Sequence, residues 1–199
     1  MTIKLGLTGS IGMGKSTTAA MFRAMGIPVW DADETVHRLY AGGGTAVAPV
    51  AALIPDALQG GMINRDALKR AIAADATLLD RLEKIVHPLV AQDRAAFLAR
   101  HADQPLVVLD IPLLFETGAD AWLDAVLVVT TDPETQAARV MARPGMTDAA
   151  FAQILARQMP DPEKRARADH VIATKTLEQT RADVTKLIAT LTGKGADDA

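Results

Sequence analysis

Five short stretches of the chain are almost continuously apolar, and polar or flexible residues separate them. Strands that are covered on both faces give such continuous runs, whereas half-exposed strands alternate apolar and polar positions. We therefore predict five buried strands, the third of them ending at Asp110, within the ranges 3–9, 28–33, 105–114, 125–131 and 168–174.

The intervals between these strands carry helical signals. Asp132 and Pro133, for example, provide a capping side chain and a first-turn proline for a helix that runs to about Met141. Strands that alternate with helices favour an α/β fold with a parallel sheet and right-handed crossovers. Outside the longest interval, we predict helices over 15–25, over 133–141, from about 147, and over 177–191, followed by a frayed tail from Gly193.

The interval between the second and third strands is too long for a simple crossover connection. It is rich in alanine and is interrupted by glycines at 42–44 and 60–61 and by Pro88. Because proline disfavours helical backbone in the residue before it, we expect one helix to end at His87 and a new one to begin there. The pattern predicts a helical insertion over residues 35–104.

Composition narrows the class of protein. The 199 residues include 21 basic and 24 acidic side chains, and the net charge of −3 gives no basis for electrostatic capture of nucleic acid or an anionic membrane. The sequence has no cysteine, which excludes disulfides, thiolate metal sites and cysteine nucleophiles. Glycines interrupt the N-terminal apolar stretch, so it predicts neither a signal peptide nor a membrane span. We expect a cytoplasmic protein with one main core and insertions.

The stretch Thr8–Ser16, TGSIGMGKS, lies between the first predicted strand and the first predicted helix. It fits the pattern G-x-x-x-x-G-K-[ST] with Gly9, Gly14, Lys15 and Ser16. Such a loop lets backbone N–H groups converge at a helix N-terminus, where they bind phosphate. The alternative is a glycine-rich turn that only begins a helix, but strand, loop, lysine, hydroxyl and helix are all in register here. A nucleoside triphosphate is the expected ligand, although GTPases, motor ATPases and small-molecule kinases share this loop.

Other residues narrow the nucleotide chemistry. Lys15 is expected to contact the terminal phosphates, and Ser16 to coordinate Mg²⁺. Asp110 is a candidate for the outer coordination shell of the same ion, or else a carboxylate that only begins a loop. The sequence lacks the Asn-Lys-x-Asp stretch that recognises guanine, and the chain is short for a mechanical ATPase. These observations favour a kinase.

Asp33 is expected to follow the second strand, and parallel α/β sheets bind ligands at the carboxyl ends of their strands. A carboxylate there can take the proton of an acceptor hydroxyl during phosphoryl transfer. The alternative is that Asp31 or Asp33 caps the helix that follows. Spacing alone leaves both roles open.

Arginines cluster around the two helices after the fourth strand. Cations that close over a transferring phosphoryl group stabilise its charge, whereas a solvated helix face is the alternative for any single arginine. His87 likewise either contacts a ligand or satisfies backbone groups. We predict a mobile lid over residues 138–167 that carries Arg139, Arg143, Arg157, Arg165 and Arg167.

Six stretches occur in a characteristic order: GLTGSIGMGKST (6–17), DADE (31–34), INRDAL (63–68), LEKIVHPLV (82–90), DIPLLFE (110–116) and EKRARADHVI (163–172). Taken together, they resemble the dephospho-CoA kinase family from about Ile3 to Ile172. The phosphate-binding loop alone is common to many kinases, whereas DAD, HP and PLLFE at these intervals are much more specific.

The resemblance implies transfer of the γ-phosphoryl group of ATP, with Mg²⁺, to the ribose 3′-hydroxyl of dephospho-coenzyme A, the last step of coenzyme A synthesis. It implies Asp33 as the general base, with Lys15 as the second catalytic residue. The implied ATP site comprises Gly12, Met13, Gly14, Lys15, Ser16, Thr17, Arg139 and Arg143. The implied acceptor site comprises Asp33, Asn64, Arg65, His87, Ile111, Pro112, Leu113 and Leu114.

The implied architecture is an α/β fold of the P-loop NTPase type, similar to nucleoside-monophosphate kinases. Its five-stranded parallel core would comprise residues 1–34, 105–137 and 168–199. A helical acceptor domain over 35–104 would bind the CoA moiety, and the lid over 138–167 would cover ATP.

The chain departs from the family pattern in two places. Many relatives have a small residue in place of Met13, and an asparagine where this chain has Ala173 and Thr174. We therefore assign no adenine contact to the second segment. Two other functions stay open: a kinase for another small hydroxylated or nucleotide acceptor, and a nucleotide-dependent binding module that hydrolyses ATP slowly.

Overall fold

The structure is a computed structural model that describes residues 1–193. The chain divides into two compact units. We call residues 1–30 together with the described residues from 101 onward the sheet unit, and residues 31–100 the helical unit. The predicted frayed tail lies outside the described residues beyond Gly193.

The described chain alternates strands and helices. The strands are Ile3–Thr8 (β1), Val29–Asp31 (β2), Leu58–Gln59 (β3), Met62–Ile63 (β4), Leu106–Asp110 (β5), Ala125–Thr130 (β6) and His170–Ala173 (β7). The helices are Lys15–Ala24 (α1), Ala32–Tyr40 (α2), Val47–Leu53 (α3), Arg65–Ala74 (α4), Thr77–Arg100 (α5), Pro133–Met141 (α6), Asp148–Leu155 (α7), Asp161–Arg167 (α8) and Leu177–Thr192 (α9).

The sheet unit is built on a five-stranded parallel sheet in the order β2-β5-β1-β6-β7, which confirms the predicted fold class. β1 lies at its centre and pairs with both β5 and β6. Leu5 and Leu7 of β1 are fully buried, as are all five residues of β5. Because both faces of the sheet are covered, the strands carry the continuous apolar runs seen in the sequence.

The helices of the sheet unit begin where local signals predict. Asp132 accepts a hydrogen bond from the Thr135 N–H at 2.7 Å, and Pro133 occupies the first turn of α6. Thr147 and Thr176 cap α7 and α9 in the same way. Each cap satisfies an N–H group that has no partner within its helix. The predicted helices over 15–25, 133–141 and 177–191 are confirmed within one residue.

The helical unit has its own hydrophobic core. Buried residues from α2, α3, α4 and α5 meet there, and they include Leu39, Val50, Leu68, Leu82 and Val86. A two-stranded antiparallel hairpin, β3–β4, turns at Gly60 and Gly61. Both glycines have positive φ, a backbone region that residues with a side chain rarely adopt.

Two predictions about this segment are wrong, and one element was not predicted. The second strand ends at Asp31, so Asp33 lies in α2 and does not end a strand. α5 runs unbroken from Thr77 to Arg100 with Pro88 inside it, so His87 is mid-helix and caps nothing. The glycine interruption predicted at 60–61 is the turn of a β-hairpin, and no strand was predicted within this helical insertion. In α5, burial of Leu82, Val86 and Phe97 on both sides of the proline outweighs its local penalty.

No helix within residues 1–193 is long and apolar enough to cross a membrane.

Candidate active site

The phosphate-binding loop follows β1 and leads directly into α1. Gly12 and Gly14 have φ values of 80° and 88°, which favour glycine. A Cβ atom at Gly9 would lie 2.7 Å from the carbonyl oxygen of Val129, and one at Gly14 would lie 2.8 Å from Oγ1 of Thr174. Gly12 and Gly14 therefore require glycine for backbone conformation, and Gly9 and Gly14 require it because neighbouring segments approach closely.

The last glycine of this loop begins α1. Gly14 is its N-cap residue, and within the described part of the chain no side chain caps this end. Ser16 and Thr17 are exposed, whereas Thr18 is buried and donates its hydroxyl to the Gly14 carbonyl at 3.1 Å. Backbone N–H groups and the positive end of the helix dipole at such a terminus favour a bound anion.

Lys15 and Asp110 form an ion pair beside the loop. The Lys15 Nζ atom lies 2.5 Å from Oδ1 of Asp110. Asp110 is the last residue of β5 and pairs in register with Leu7 of β1, and its side chain is 1 % exposed. The carboxylate lies where the sequence predicts it, at the carboxyl end of its strand.

Thr174 joins the loop to the end of β7. Its hydroxyl donates to the Met13 carbonyl at 2.9 Å and accepts from Arg139 at 3.0 Å. Arg139 also donates to the Thr174 carbonyl at 2.7 Å. The Met13 side chain is buried, and its sulfur accepts the Thr131 N–H at 3.1 Å. The structure therefore brings together Met13 and Arg139, two residues predicted for the ATP site, through a threonine that the prediction had left without a role.

Two glutamines hold the backbone of Ile11. Gln136 Nε2 donates to the Ile11 carbonyl at 2.8 Å, and the Ile11 N–H donates to Gln158 Oε1 at 3.0 Å. Sequence reasoning missed both residues, because no pattern separates a glutamine in a helix or just beyond one from a solvated position.

A buried ion pair anchors the segment that carries Gln158. Lys164 is fully buried, and its Nζ lies 2.8 Å from Glu116 Oε1. The same carboxylate accepts the Met159 N–H at 2.7 Å. Burial alone would raise the pKa of Glu116, but the hydrogen bonds from Lys164 and Met159 outweigh it and hold that pKa below its ordinary value.

The other arginines of the predicted lid differ in their surroundings. Arg143 and Arg157 are exposed. Arg165 donates to Asp161 at 2.8 Å. Arg167 donates to Asp120 at 2.7 Å and lies over the ring of Phe115 at 4.6 Å. Arg165 therefore pairs within α8, and Arg167 joins α8 to Asp120 and Phe115.

The segment from Ile111 to Leu114 follows the end of β5 and leads into a turn. The Ile111 N–H donates to the Leu7 carbonyl at 3.0 Å, and the Thr8 hydroxyl donates to the Pro112 carbonyl at 3.1 Å. Ile111 and Leu114 are buried, whereas Leu113 is 40 % exposed. Of this segment, Leu113 offers the most side-chain surface to a ligand.

In the helical unit, the two carboxylates near the start of α2 have different roles. Asp31 is the N-cap residue, and its Oδ1 accepts the Glu34 N–H at 2.9 Å. Asp33 is the second residue of the helix and is exposed. The capping alternative therefore belongs to Asp31, which leaves the Asp33 carboxylate on the surface of its unit.

Asn64 and Arg65 line a cavity of about 500 Å³ in the helical unit. Asn64 Oδ1 caps α4 by accepting the N–H groups of Asp66 and Ala67, and its Nδ2 donates to Gln59 at 2.8 Å.

The Arg65 guanidinium lies 6.0 Å from the centre of the Tyr40 ring. Burial raises the pKa of Tyr40, although the nearby Arg65 opposes this shift. The remaining lining residues are His37, Tyr40, Ala41, Gln59, Gly60, Met62 and Ile63.

His87 lies at a second cavity of the same unit, of about 430 Å³. Its lining is largely charged, with Asp80, Glu83 and Lys84 beside His87 and Pro88. The structure does not place His87 in the cavity that Asn64 and Arg65 share.

Comparison with known proteins decides the family. The sequence model of the family described as dephospho-CoA kinase matches residues 3–179, which include the loop, the sheet and the whole helical unit. The chain belongs to the dephospho-CoA kinase family.

Individual dephospho-CoA kinases are similar over nearly their full length. The one from Jannaschia sp. (strain CCS1) is 62 % identical over 192 residues, which are 96 % of this chain and 98 % of the relative. The one from Cereibacter sphaeroides is 64 % identical over 186 residues, 94 % of each chain. Among solved structures, TT1252 from Thermus thermophilus is 36 % identical with a TM-score of 0.85, over 95 % of this chain and 97 % of that one.

The oxygen donors near the loop determine whether a divalent cation fits there. The described residues contain no cluster of three or more His, Cys, Asp or Glu that could hold a metal ion. Mg²⁺ is commonly held by one or two protein oxygens together with substrate phosphates and water. The hydroxyl of Ser16 is an oxygen ligand of this kind, and the carboxylate of Asp110 is an oxygen acceptor for the outer shell, so the residues present fit an ion that arrives with a nucleotide.

Proposed function

We propose that this protein transfers the γ-phosphoryl group of ATP to the ribose 3′-hydroxyl of dephospho-CoA, giving coenzyme A and ADP. The family match over residues 3–179 carries this proposal. Relatives named dephospho-CoA kinase, at 62 % and 64 % identity over almost the whole chain, support it. Kinases of this kind share ATP as their phosphoryl donor.

The sheet unit would provide the donor side. The backbone from Gly12 to Thr17 and the N-terminus of α1 would hold the phosphates of ATP, and the Lys15 ammonium would offset their charge. Ser16 would hold Mg²⁺, with Asp110 in its outer shell, and the ion would neutralise charge on the phosphates. Arg139 and Arg143 would add positive charge over the nucleotide. Hydrogen bonds to Thr174 tie Arg139 to the phosphate-binding loop, which supports its role in the ATP site. Arg143 is exposed, so its support is weaker.

The acceptor would be recognised mainly by the helical unit. Asp33, Asn64, Arg65 and His87 are the proposed acceptor residues there, and Ile111 to Leu114 would contribute from the sheet unit. Asn64 and Arg65 share one cavity, where the guanidinium is available to an anionic group such as a pyrophosphate. We also propose that the 31–100 unit is the CoA-binding domain and that residues 138–167 act as the lid.

The proposed chemistry is direct transfer without a phosphoenzyme. The 3′-oxygen forms a bond to the γ-phosphorus while the bond from that phosphorus to the β,γ-bridging oxygen breaks, and the electron pair leaves with ADP. The hydroxyl proton passes to the Asp33 carboxylate. In a loose transition state this transfer comes late, so Asp33 mainly orients the hydroxyl and completes the reaction.

A coupled ADP-release assay tests the proposal. Purified protein should release ADP from ATP and Mg²⁺ when dephospho-CoA is present, and should release almost none without it. Coenzyme A, whose 3′-hydroxyl is already phosphorylated, is the matched control acceptor and should give no ADP above background. Equal ADP release with and without dephospho-CoA would instead indicate a slow ATPase. A higher kcat/KM with another hydroxylated acceptor would indicate a kinase for that acceptor.

We further propose a cytoplasmic location, since the proposed donor ATP is supplied there. Fractionation of cells that express the tagged protein tests it, with activity expected in the cytoplasmic fraction.

A further inference from the structure

We propose that Gln136 and Gln158 are positioning residues that hold the phosphate-binding loop in its nucleotide-ready conformation by binding both backbone polar groups of Ile11. We call these two side chains the glutamine clamp. This inference rests on the proposed function, because it concerns how the same loop receives ATP.

The clamp is a pair of hydrogen bonds of opposite polarity. The Gln136 amide donates to the Ile11 carbonyl at 2.8 Å, and the Gln158 amide oxygen accepts the Ile11 N–H at 3.0 Å. A backbone carbonyl can only accept and a backbone N–H can only donate, so the orientation of each amide is fixed by its partner. Together they set the orientation of the two peptide groups on either side of the Ile11 Cα atom.

Gln136 reaches the loop from a rigid position. It lies in α6 and is 7 % exposed. α6 approaches the loop so closely that a Cβ atom at Gly12 would lie 2.6 Å from Val140 Cγ2 and 3.0 Å from the Gln136 carbonyl. The helix and the loop are thus in direct contact at the residue that follows Ile11.

Gln158 reaches the loop from the segment between α7 and α8. Its own N–H donates to the Leu155 carbonyl at 3.1 Å, which closes the end of α7. The next residue, Met159, donates its N–H to the Glu116 carboxylate, which Lys164 also holds. The side chain therefore extends from a backbone that is fixed on both sides, and it links the proposed lid segment to the loop.

The clamp completes the bonding of the first half of the loop. The Met13 N–H donates to the Ser10 carbonyl at 3.1 Å, and the Met13 carbonyl accepts from Thr174 at 2.9 Å. With Ile11 held as well, the loop backbone is ordered before a nucleotide arrives. A preformed site loses less conformational entropy on binding, so the clamp should lower the KM for ATP and leave the KM for dephospho-CoA unchanged.

Because the two hydrogen bonds have opposite polarity, the same change from Gln to Glu should have different effects at positions 136 and 158. Gln158→Glu keeps an oxygen that accepts the Ile11 N–H. Gln136→Glu replaces a donor with a carboxylate that faces the Ile11 carbonyl. Gln136→Met and Gln158→Met keep the side-chain length and remove each hydrogen bond. Gln153→Glu, at an exposed position of α7, is the control for the added charge.

Steady-state kinetics at pH 8.5 give the readout. We expect Gln136→Glu, Gln136→Met and Gln158→Met to raise the KM for ATP about three- to tenfold, the range that one net hydrogen bond corresponds to. Their kcat and their KM for dephospho-CoA should stay within about twofold of wild type. Gln158→Glu should match the Gln153→Glu control. If Gln158→Glu raises the KM for ATP as much as Gln158→Met does, the proposal is overturned.

A second measurement keeps the test independent of turnover. The rise in melting temperature caused by ATP and Mg²⁺ should be smaller in the three variants that lose a clamp bond, and unchanged in Gln158→Glu and Gln153→Glu. If the wild type fails to phosphorylate dephospho-CoA but shows this ranking, the proposed function fails and the clamp stands. If the wild type is active and the ranking is absent, the clamp alone fails. Should the buried carboxylate of Gln136→Glu prevent folding, the two variants at position 158 decide the result.

Discussion

The side-chain ammonium of Lys15 lies 2.5 Å from Oδ1 of Asp110, a carboxylate that is almost fully buried at the end of β5. The proposed function gives this lysine a second partner, the terminal phosphates of ATP. Lys15 therefore contributes both to the stability of the sheet unit and to the binding of ATP. Substitutions can separate these two effects.

Lys15→Met should greatly reduce both ATP binding and turnover, because the loop loses its only side-chain cation within GMGKST. It should also destabilise the protein by about 1.5–3 kcal/mol, since a buried carboxylate loses a charged hydrogen-bond partner. The double variant Lys15→Met with Asp110→Asn should recover much of that stability and none of the activity. Urea unfolding and the ADP-release assay measure the two effects, and a single variant with normal turnover would contradict the role of Lys15.

Asp33→Asn should lower kcat by about 10²- to 10⁴-fold and leave the KM for ATP nearly unchanged, because it removes the base and keeps the shape. Glu34→Gln, the adjacent exposed carboxylate, is the control for lost charge and should retain most activity. Asp31→Ala should instead cost about 1 kcal/mol of stability through the lost cap of α2. A fully active Asp33→Asn enzyme would remove this residue from the mechanism.

Arg65→Ala should raise the KM for dephospho-CoA about tenfold or more without changing the KM for ATP, because it removes a charged hydrogen-bond donor from the acceptor cavity. Arg70→Ala, an exposed arginine of the same helix α4, provides the matched control and should behave as wild type. Initial-rate measurements with each substrate varied in turn distinguish the two constants. An equal effect of both arginine substitutions would point to general electrostatics.

Thr174→Val should raise the Kd for ATP about two- to tenfold, since it removes the hydroxyl that joins Met13 and Arg139 while keeping a similar volume. Thr180→Val is the control: this threonine is also buried, but its hydroxyl bonds to the Thr176 carbonyl within α9. Isothermal titration with ATP and Mg²⁺ checks the comparison directly. Equal affinities in the two variants would show that the Thr174 hydroxyl does not support the loop.

The Glu116 ion pair makes stability depend on pH in the acid range. The pKa of Glu116 in the folded protein is lowered from its ordinary value of 4.5, so its contribution is present above that value and is lost as pH falls through the lower, folded pKa. Glu116→Gln should therefore be less stable than wild type by about 3 kcal/mol at pH 7, and this difference should shrink below pH 4.5. Urea unfolding across pH measures it, with Glu163→Gln on the exposed side of α8 as the control. A difference that stays constant with pH would contradict the assignment.

Local signals in the sequence predicted most of the sheet unit. Continuous apolar runs identified its strands, and the Asp132-Pro133 pair identified the start of α6, because these features act within a few residues. The phosphate-binding loop was equally predictable from sequence, since its glycines and Lys15 lie close together in the chain.

The errors arose where packing between distant segments outweighs local preference. Pro88 is a strong local signal for a break, yet α5 continues through it because both halves of the helix bury apolar side chains. The hairpin of β3 and β4 has two-residue strands, which are too short to show periodicity. Thr174, Gln136 and Gln158 contact the loop across 125 to 161 residues of sequence, and no pattern within one segment reveals such contacts.

The buried Met13 side chain has a consequence for engineering. The Met13 sulfur accepts the Thr131 N–H just beyond β6, and the Met13 carbonyl accepts the Thr174 hydroxyl. A loop from a relative with a small residue at this position, grafted alone, would leave that N–H without its acceptor and a gap beneath the backbone. The loop is therefore not transferable by itself: a working chimaera would also need a group that accepts the Thr131 N–H and fills the space of the Met13 side chain.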